Sequence, residues 1–192
     1  MNRLHRWICR SKGWRKTIEQ RVPWVISNVD LGDNVLEIGP GPGLTTDIFR
    51  ASVKRLTAVE IDPKLAVSLR SRLDNTNVQV VTADATALPF SDSSFSAGLS
   101  FTMLHHVPSR ELQDLVLREM WRVLKPGGVF VGSDSLQGLL MRAIHLGDTL
   151  VPIHPDSIGA RLTAAGFEVL EVEKDRRAFR FHARKPAIAE LS

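Results

Sequence analysis

Cysteine, long apolar runs and internal repeats are scarce or missing in this sequence. Its 192 residues include one cysteine, Cys9, which excludes an internal disulfide framework or a multi-cysteine zinc site and favours a reducing, cytoplasmic setting. No apolar run approaches the roughly 20 residues that span a bilayer, and the charged N-terminus lacks the apolar stretch of a signal peptide. With no shift in composition, we predict one domain over residues 1–192: a core at 30–192 preceded by a basic helical extension at 1–29.

Positive charge is in slight excess, with a formal net charge of +4, and it gathers at the two ends of the chain. A solvated face accounts for most clusters of this kind, and an acidic partner such as nucleic acid or anionic lipid stays open. The N-terminal cluster also carries Trp7, Trp14 and Trp24. That segment therefore suits either a lid over a pocket or peripheral contact with a lipid surface.

Strand-like and helix-like segments alternate from Asn34 onward, which is typical of a parallel sheet flanked by helices. Asp62 followed by Pro63 predicts a helix start, because aspartate caps helices and proline fits the first turn. The predicted strands are Val35–Ile38, Leu56–Val59, Val78–Val81, Phe95–Phe101, Val129–Val131, Glu168–Val172 and Ala178–Ala183, the last two forming a hairpin. The predicted helical segments are Leu4–Val29, Leu44–Ala51, Lys64–Leu73, Arg110–Leu124, Leu136–Leu150 and Asp156–Ala165.

A glycine-rich turn follows the first predicted strand. Gly39, Gly41 and Gly43 alternate with two prolines, and glycine lets a backbone turn sharply and approach a ligand closely. The spacing is G-x-G-x-G, whereas the dinucleotide fingerprint is G-x-G-x-x-G. Leu44 stands where that fingerprint needs its third glycine, so a nicotinamide dehydrogenase is disfavoured.

Acidic side chains stand where three predicted strands end. Glu37 and Glu60 close the first and second strands, and Asp84 follows the third. Ligands of an open parallel sheet bind beyond the carboxyl ends of its strands, and an acid about 20 residues after the glycine turn can accept hydrogen bonds from ribose hydroxyls. Asp84 suits either an adenine amino group or a turn. We therefore expect a shared nucleoside pocket.

The ordered motifs together resemble class I S-adenosylmethionine-dependent methyltransferases, in particular the small-molecule branch related to ubiquinone and menaquinone methyltransferases. The resemblance covers about the middle half of the chain and implies an α/β, Rossmann-like, doubly wound sheet of seven strands. Its implied order is 3-2-1-4-5-7-6, with the last strand antiparallel and helices on both faces. The matching segments are Val35–Gly43, Val59–Asp62, Ala83–Phe90, Ser94-Phe95, Leu104–Val107 and Leu124–Gly128.

The same resemblance implies roles for individual residues around S-adenosyl-L-methionine. Glu37 would help hold the methionine amino group, directly or through water, and the backbone at Gly39, Gly41 and Gly43 would pass the methionine end. Ser96 replaces an acid common in the family, and we expect it to affect strand packing more than chemistry. The remaining implied contacts are Glu60 with the ribose, Ile61 with adenine, Asp84 and Ala85 with the adenine edge, and Ser100 beside the reaction centre.

Charge agrees with this cofactor. Its sulfonium and ammonium groups are cationic, so acids at Glu37, Glu60 and Asp84 are favourable, whereas a dinucleotide would bring an anionic pyrophosphate. No lysine or arginine falls between Ile38 and Phe49. The sequence therefore favours a cationic adenosyl ligand.

Methyl transfer is an in-line displacement, in which the protein mainly aligns the acceptor with the methyl group and excludes water. A base is needed only if the acceptor must lose a proton. His105 and His106 are the candidates, and contact with the cofactor or a packing role stays open for them. No metal site is predicted. The apolar segment Leu136–Leu150, with Met141, Ile144 and His145, either covers the sheet or contacts a lipophilic small-molecule acceptor.

Two alternatives differ in class. The first strands also resemble ribosomal-RNA adenine dimethyltransferases, but Ser100–Met103 replaces the tetrad with which such enzymes grip a flipped base, so a nucleic-acid substrate is disfavoured. A protein that binds S-adenosylmethionine without catalysis stays open, because methyl transfer can proceed without a dedicated side chain.

Overall fold

The computed structural model describes residues 8, 11–136, 138, 142–143 and 145–187. Trp7 and Cys9, the start of the predicted Leu4–Val29 helix, and Met141 and Ile144 of the predicted Leu136–Leu150 helix lie outside the described residues. Within the described part, no helix combines the length and apolar character needed to cross a bilayer.

The described residues form a seven-stranded sheet in the predicted order, β3-β2-β1-β4-β5-β7-β6. Neighbours from β3 to β5 pair in parallel, and β7 runs antiparallel to both β5 and β6. The predicted fold class is therefore confirmed. The strands are β1 Asn34–Ile38, β2 Arg55–Glu60, β3 Val78–Thr82, β4 Phe95–Phe101, β5 Leu124–Ser135, β6 Glu168–Lys174 and β7 Ala178–Arg184. The helices are α1 Lys12–Val25, α2 Leu44–Phe49, α3 Pro63–Arg72, α4 Arg110–Val123 and α5 Pro155–Ala164, with a 3₁₀ turn at Leu104–His106.

Local signals explain most helix starts. Asp62 caps α3 by accepting from the Lys64 and Leu65 amides, with Pro63 in the first turn, as predicted. The hydroxyls of Ser11 and Ser109 cap α1 and α4 in the same manner. Each cap satisfies amides that have no partner inside the helix.

Several predicted boundaries were wrong. The predicted Leu4–Val29 helix ends at Val25, and residues 145–150 of the predicted Leu136–Leu150 helix form a turn and a loop rather than a helix. Helix α2 ends at Phe49 rather than Ala51. Strand β5 spans Leu124–Ser135 rather than Val129–Val131, because Leu124 pairs with Phe95 and Val129 with Ala97 while the predicted Pro126–Gly128 turn bulges out between them. The bulged Gly127 and Gly128 exchange backbone hydrogen bonds with Lys185 just after β7, so the turn is absorbed into the sheet.

The core has a layer on each face of the sheet. Side chains of β1 alternate between faces: Leu36 and Ile38 pack with α4 and α5, whereas Val35 packs with α1 and α2. Helix α3 covers β2 and β3 through a smaller cluster. Helix α1 is thus part of the core packing, although the sequence places it in an extension; the division at residue 30 stays a prediction.

Candidate functional site

A cavity of about 400 Å³ opens at the carboxyl ends of the parallel strands. One part is bordered by the glycine turn and the ends of β2 and β3, and the other by the segment after β4, the loop 145–149 and α1. Eight residues predicted from the sequence line it: Gly39, Gly41, Glu60, Ile61, Asp84, Ala85, His105 and His106. Glu37, Gly43 and Ser100 do not line it.

The glycine turn needs glycine for different reasons at its first two positions. Gly39 has a φ of 64°, and a Cβ there would lie 2.0 Å from Cγ of Met103. Gly41 has a φ of 55°, but a Cβ there would meet no atom within 4 Å. The first glycine therefore permits contact with the segment after β4, and the second leaves open space at the cavity.

Arg72 holds this turn from α3. Its guanidinium donates to the carbonyl oxygens of Pro42 and Gly43, at 3.2 and 3.4 Å, and pairs with Asp47 at 2.7 Å. Gly43 caps α2 with a φ of 85°, and its position against α3 explains why it lies behind the cavity wall. Arg72 thus holds the glycine turn against α3.

Glu60 presents a buried carboxylate to the cavity. Its two oxygens accept from the amides of Gly41 and Asp62, each at 2.9 Å. Burial raises the pKa of Glu60, while the amide hydrogen bonds oppose that shift. A carboxylate has about four lone-pair sites, so these backbone bonds leave acceptor capacity for a ligand.

Glu37 lies one layer behind the cavity. Its carboxylate accepts from the hydroxyls of Thr45 and Thr46 in the first turn of α2, the latter at 2.6 Å. Burial raises its pKa to about 7, against the hydrogen bonds from both threonines. Thr45 lines the cavity, so Glu37 reaches the cavity surface through that hydroxyl.

The cavity wall beyond Glu60 includes the apolar residues Ile61 and Ala85 and the third predicted acid, Asp84. Ile61 leaves 64% of its surface exposed, which is unusual for a large aliphatic residue in a cavity wall and fits a flat ligand packing on it. Asp84 accepts from the Thr86 amide at 2.8 Å, so it makes the turn considered from the sequence, and it also lines the cavity. Ala85 follows it along the wall.

Two serines of β4 are placed in the sheet. Ser100 is 1% exposed, and its hydroxyl has no hydrogen-bond partner among the described residues. Ser96 bonds the carbonyl oxygens of Leu31 and Asn34 at 2.7 and 2.9 Å and accepts from the Asn34 amide. The prediction that Ser96 serves strand packing is therefore confirmed.

Three imidazoles gather at the other part of the cavity. His105 and His106 belong to the 3₁₀ turn after β4, and His145 comes from the loop before α5. The ring centroids lie 4.2 Å apart for His105 and His106, and 5.1 and 5.0 Å from His145. Nδ1 of His105 lies 2.5 Å from Oδ1 of Asp134 near the end of β5. A buried carboxylate therefore fixes the orientation of His105.

Gln113 joins the two segments that carry these histidines. Its side-chain amide donates to the carbonyl oxygens of Leu104 and Val151, at 3.0 and 2.7 Å, and accepts from Arg161 at 2.9 Å. The Val151 amide in turn donates to the carbonyl oxygen of His105 at 2.8 Å. One buried side chain thus ties the 3₁₀ turn to the loop beyond His145.

The sequence reasoning missed Thr45, Asp134 and Gln113. Asp134 had a usable signal, since it is an acid near the carboxyl end of a parallel strand. Thr45 lies in the first turn of the helix that follows the glycine turn, and the N-termini of such helices commonly face ligands. Gln113 gave no signal, because its partners are backbone carbonyls distant in sequence.

The strand order, the glycine turn after β1 and the acid that ends β2 are the features of the class I S-adenosylmethionine-dependent methyltransferase fold. The chain belongs to the methyltransferase domain family, whose model matches residues 36–132.

Individual relatives agree on that family. The chain is 33% identical to a Caenorhabditis elegans sterol 4-C-methyltransferase over 120 residues, which cover 59% of this chain and 35% of the relative. It is 36% identical to a Clavibacter sepedonicus demethylmenaquinone methyltransferase over 102 residues, covering 52% and 40%. The matched region therefore spans well under two thirds of either relative.

One solved structure shows the likeness of fold over nearly the whole chain. The Bradyrhizobium japonicum N-methyltransferase NodS, in complex with S-adenosyl-L-homocysteine, superposes with a TM-score of 0.72 at 18% identity. The superposition covers 93% of this chain and 90% of NodS.

Proposed function

We propose that this protein transfers the methyl group of S-adenosyl-L-methionine to a small, lipophilic acceptor. The observation that carries the proposal is a single cavity with two unlike parts. One part presents the Glu60 carboxylate, Asp84 and an exposed Ile61, and the other is lined by apolar side chains around three histidines. Its volume of about 400 Å³ falls within the range of small-molecule sites.

The first part suits the cofactor. Glu60 accepts hydrogen bonds from the ribose hydroxyls through lone pairs that the Gly41 and Asp62 amides leave available. Ile61 packs on the adenine ring, and Asp84 with Ala85 borders the ring edge. Acids without a lysine or arginine in the adjoining turn favour a cationic ligand over a pyrophosphate. The bound cofactor supplies an electrophilic methyl group on a sulfonium.

The methionine end lies along the glycine turn in this proposal. Thr45 donates its hydroxyl hydrogen to Glu37, so its oxygen is directed to accept from the ammonium group. Glu37 thereby acts through Thr45 rather than through direct contact. Ser100 is buried behind this wall.

The second part suits an apolar acceptor. Its lining includes Phe101, Met103, Val107, Leu112 and Val116, and Trp14 and Ile18 of α1. Such a wall binds hydrocarbon rings or chains and keeps water from the transferring methyl group. The sterol and menaquinone precursors named for the relatives are apolar molecules of this kind. His105 and His106 stay the candidates for contact with a polar group of the acceptor.

Calorimetric titration with S-adenosylmethionine tests the cofactor assignment. Wild type should bind it, and Glu60→Gln should weaken binding by about 10-fold to 100-fold, because it removes a charged acceptor from the ribose contacts. The matched control is Asp33→Asn, an exposed acid that pairs with Lys54 before β1, at the opposite end of the sheet. Binding of NAD without S-adenosylmethionine, or equal losses in both variants, would overturn the assignment.

Catalysis is tested separately by incubating wild type with labelled S-adenosylmethionine and a panel of acceptors. Labelled demethylmenaquinone-like or sterol-like products are expected, with little label on RNA. Binding without any labelled product would leave a non-catalytic S-adenosylmethionine-binding protein, the alternative that the sequence raised.

A further inference from the structure

We propose that His105, His106 and His145 form a binding site for a divalent transition-metal ion such as zinc. Each histidine offers one ring nitrogen to a group in which all ligand atoms lie within 4.8 Å of one another. Three imidazoles around a tetrahedral ion have nitrogens about 3.4 Å apart when each lies about 2.1 Å from the metal. The nitrogens therefore have to come closer together when an ion binds.

The donor set selects the class of metal. Neutral imidazole nitrogens suit zinc, copper, iron and nickel, whereas magnesium and calcium require oxygen ligands. Two of the three rings are nearly inaccessible, with 3% and 4% exposure for His105 and His145. Burying an imidazole costs free energy unless its polar nitrogens have partners.

Asp134 provides the second observation. It is 1% exposed, and its Oδ1 atom lies 2.5 Å from Nδ1 of His105 while Oδ2 accepts from the His105 amide at 3.2 Å. A carboxylate on one ring nitrogen fixes the tautomer that leaves the other nitrogen, Nε2, with its lone pair available to a metal. This carboxylate–histidine arrangement is typical of the layer behind a metal ligand.

Backbone contacts hold the three ligands in register although two segments supply them. His105 and His106 are adjacent in the 3₁₀ turn, and Gln113 bonds this turn and the loop that follows His145. The Val151–His105 backbone bond adds a direct link between the two segments. The ligands are therefore positioned by the fold before any ion binds.

Three protein ligands leave one coordination position open, as in catalytic zinc sites. Since all three histidines line the cavity, that position faces the acceptor part. A hydroxyl or carbonyl oxygen of the acceptor is the group that such a position takes, and the metal favours its anionic form. The metal site itself is independent of methyl transfer, whereas this part in the reaction rests on the proposed function.

Metal binding by the chain, free of any affinity tag and stripped with chelator, is the first measurement. Zinc titrated by calorimetry should bind at one ion per chain, and cobalt should give the visible absorption of a tetrahedral site. Absence of a stoichiometric site for both ions would overturn the inference.

Variants locate the site. His106→Gln and His145→Gln should each weaken zinc binding by about 100-fold or more, since each removes a ligand, an effect at least as large as loss of a residue behind one. The matched control is His154→Gln, because His154 is 67% exposed and belongs to the start of α5. Circular dichroism confirms that each variant is folded. Equal weakening by His154→Gln, or full zinc affinity in both cluster variants, would place the metal elsewhere and overturn the inference.

Titration of wild type with S-adenosylmethionine separates this inference from the proposed function. Zinc binding without S-adenosylmethionine binding would support the metal site and contradict the methyltransferase proposal. S-adenosylmethionine binding with no zinc site would do the reverse.

Discussion

At the scale of single residues, Glu37 shows how a charged group is used where water cannot reach it. It is 1% exposed and lies behind the glycine turn with two threonine hydroxyls as its partners. Desolvation is the dominant influence and raises its pKa to about 7, with the nearby Asp47 and Glu60 adding to the shift. Near neutral pH the carboxyl is therefore poised between its two forms.

The raised pKa of Glu37 predicts that the stability of the protein depends on pH. The folded protein holds the Glu37 proton more tightly than the unfolded chain, so the contribution of Glu37 to folding is lost as pH rises from about 4.5 to 7. Relative to Glu37→Gln, the free energy of unfolding of wild type should fall by about 3 kcal/mol over that interval and then level off. Urea unfolding of both proteins at a series of pH values measures the difference.

Glu119→Gln serves as the control of opposite sign. The hydrogen bond from Arg122 lowers the pKa of Glu119, so its contribution should be lost as pH falls below the usual range of glutamate rather than as pH rises. A wild-type curve parallel to that of Glu37→Gln between pH 4.5 and 7 would contradict the interpretation of Glu37.

The sequence placed some site residues better than others, for reasons visible in the contacts. Glu60 was predictable, because an acid at the carboxyl end of β2 lies where the ligands of an open parallel sheet bind. Glu37 was predicted near the methionine end, but the structure turns it toward Thr45 and Thr46. The alternating pattern of a strand predicts which face a side chain lies on. It does not predict which residues of the following helix that side chain contacts.

At the scale of elements, Gln113 of α4 joins parts of the chain that no local pattern relates. All its polar atoms have partners: two carbonyl oxygens, at Leu104 and Val151, and the guanidinium of Arg161. Its 1% exposure means that water cannot replace those partners if the amide is lost. The element pair that carries the histidines thus depends on a buried amide.

Gln113→Leu keeps the volume and removes the hydrogen bonds. We expect it to lower the free energy of unfolding by at least about 2 kcal/mol, because buried carbonyl groups lose their partners. Hydrogen exchange at the Val151 amide should also accelerate, since that amide bonds His105 across the same junction. The matched control is Gln79→Leu, at an exposed position of β3, expected to change stability by less than about 0.5 kcal/mol. Similar losses in both variants would show that Gln113 has no special role.

The positions of helices and strands were predictable where the hydrophobic period agrees with local start and stop signals. The predicted boundaries were wrong where pairing with a distant strand decides them. The Asp62-Pro63 start of α3 needs only local groups. Strand β5 extends back to Leu124 because Phe95 pairs with it across a bulge, and that partner lies 29 residues earlier in the sequence. The residues that form long-range pairs therefore carry information that the local pattern lacks.

At the scale of the whole molecule, α1 closes one face of the sheet. Ile18, Val22 and Val25 are each at most 2% exposed and pack in the cluster that contains Phe49 and Phe101. Arg180 of β7 also donates to the carbonyl oxygen of Trp24 and to Ser27. The predicted division at residue 30 would therefore cut through a packed layer.

A chain that begins at residue 30 should accordingly fail to fold. Burial of each large aliphatic side chain of α1 contributes about 1.5–3 kcal/mol. Loss of three such side chains would remove much of the free energy of unfolding of a typical domain. The full-length double variant Ile18→Ala/Val22→Ala, followed by urea unfolding, should lose about 4 kcal/mol or more. The exposed pair Lys16→Ala/Gln20→Ala on the same helix should lose almost nothing.

These variants also distinguish a structural helix from a dispensable lid. Trp14 and Ile18 line the cavity, so a lid alone would weaken ligand binding while leaving the unfolding curve in place. A helix that completes the core changes the unfolding curve even without ligand. A truncated chain with the melting temperature and S-adenosylmethionine affinity of the full protein would show that residues 30–192 are a complete domain, and that α1 only rests on it.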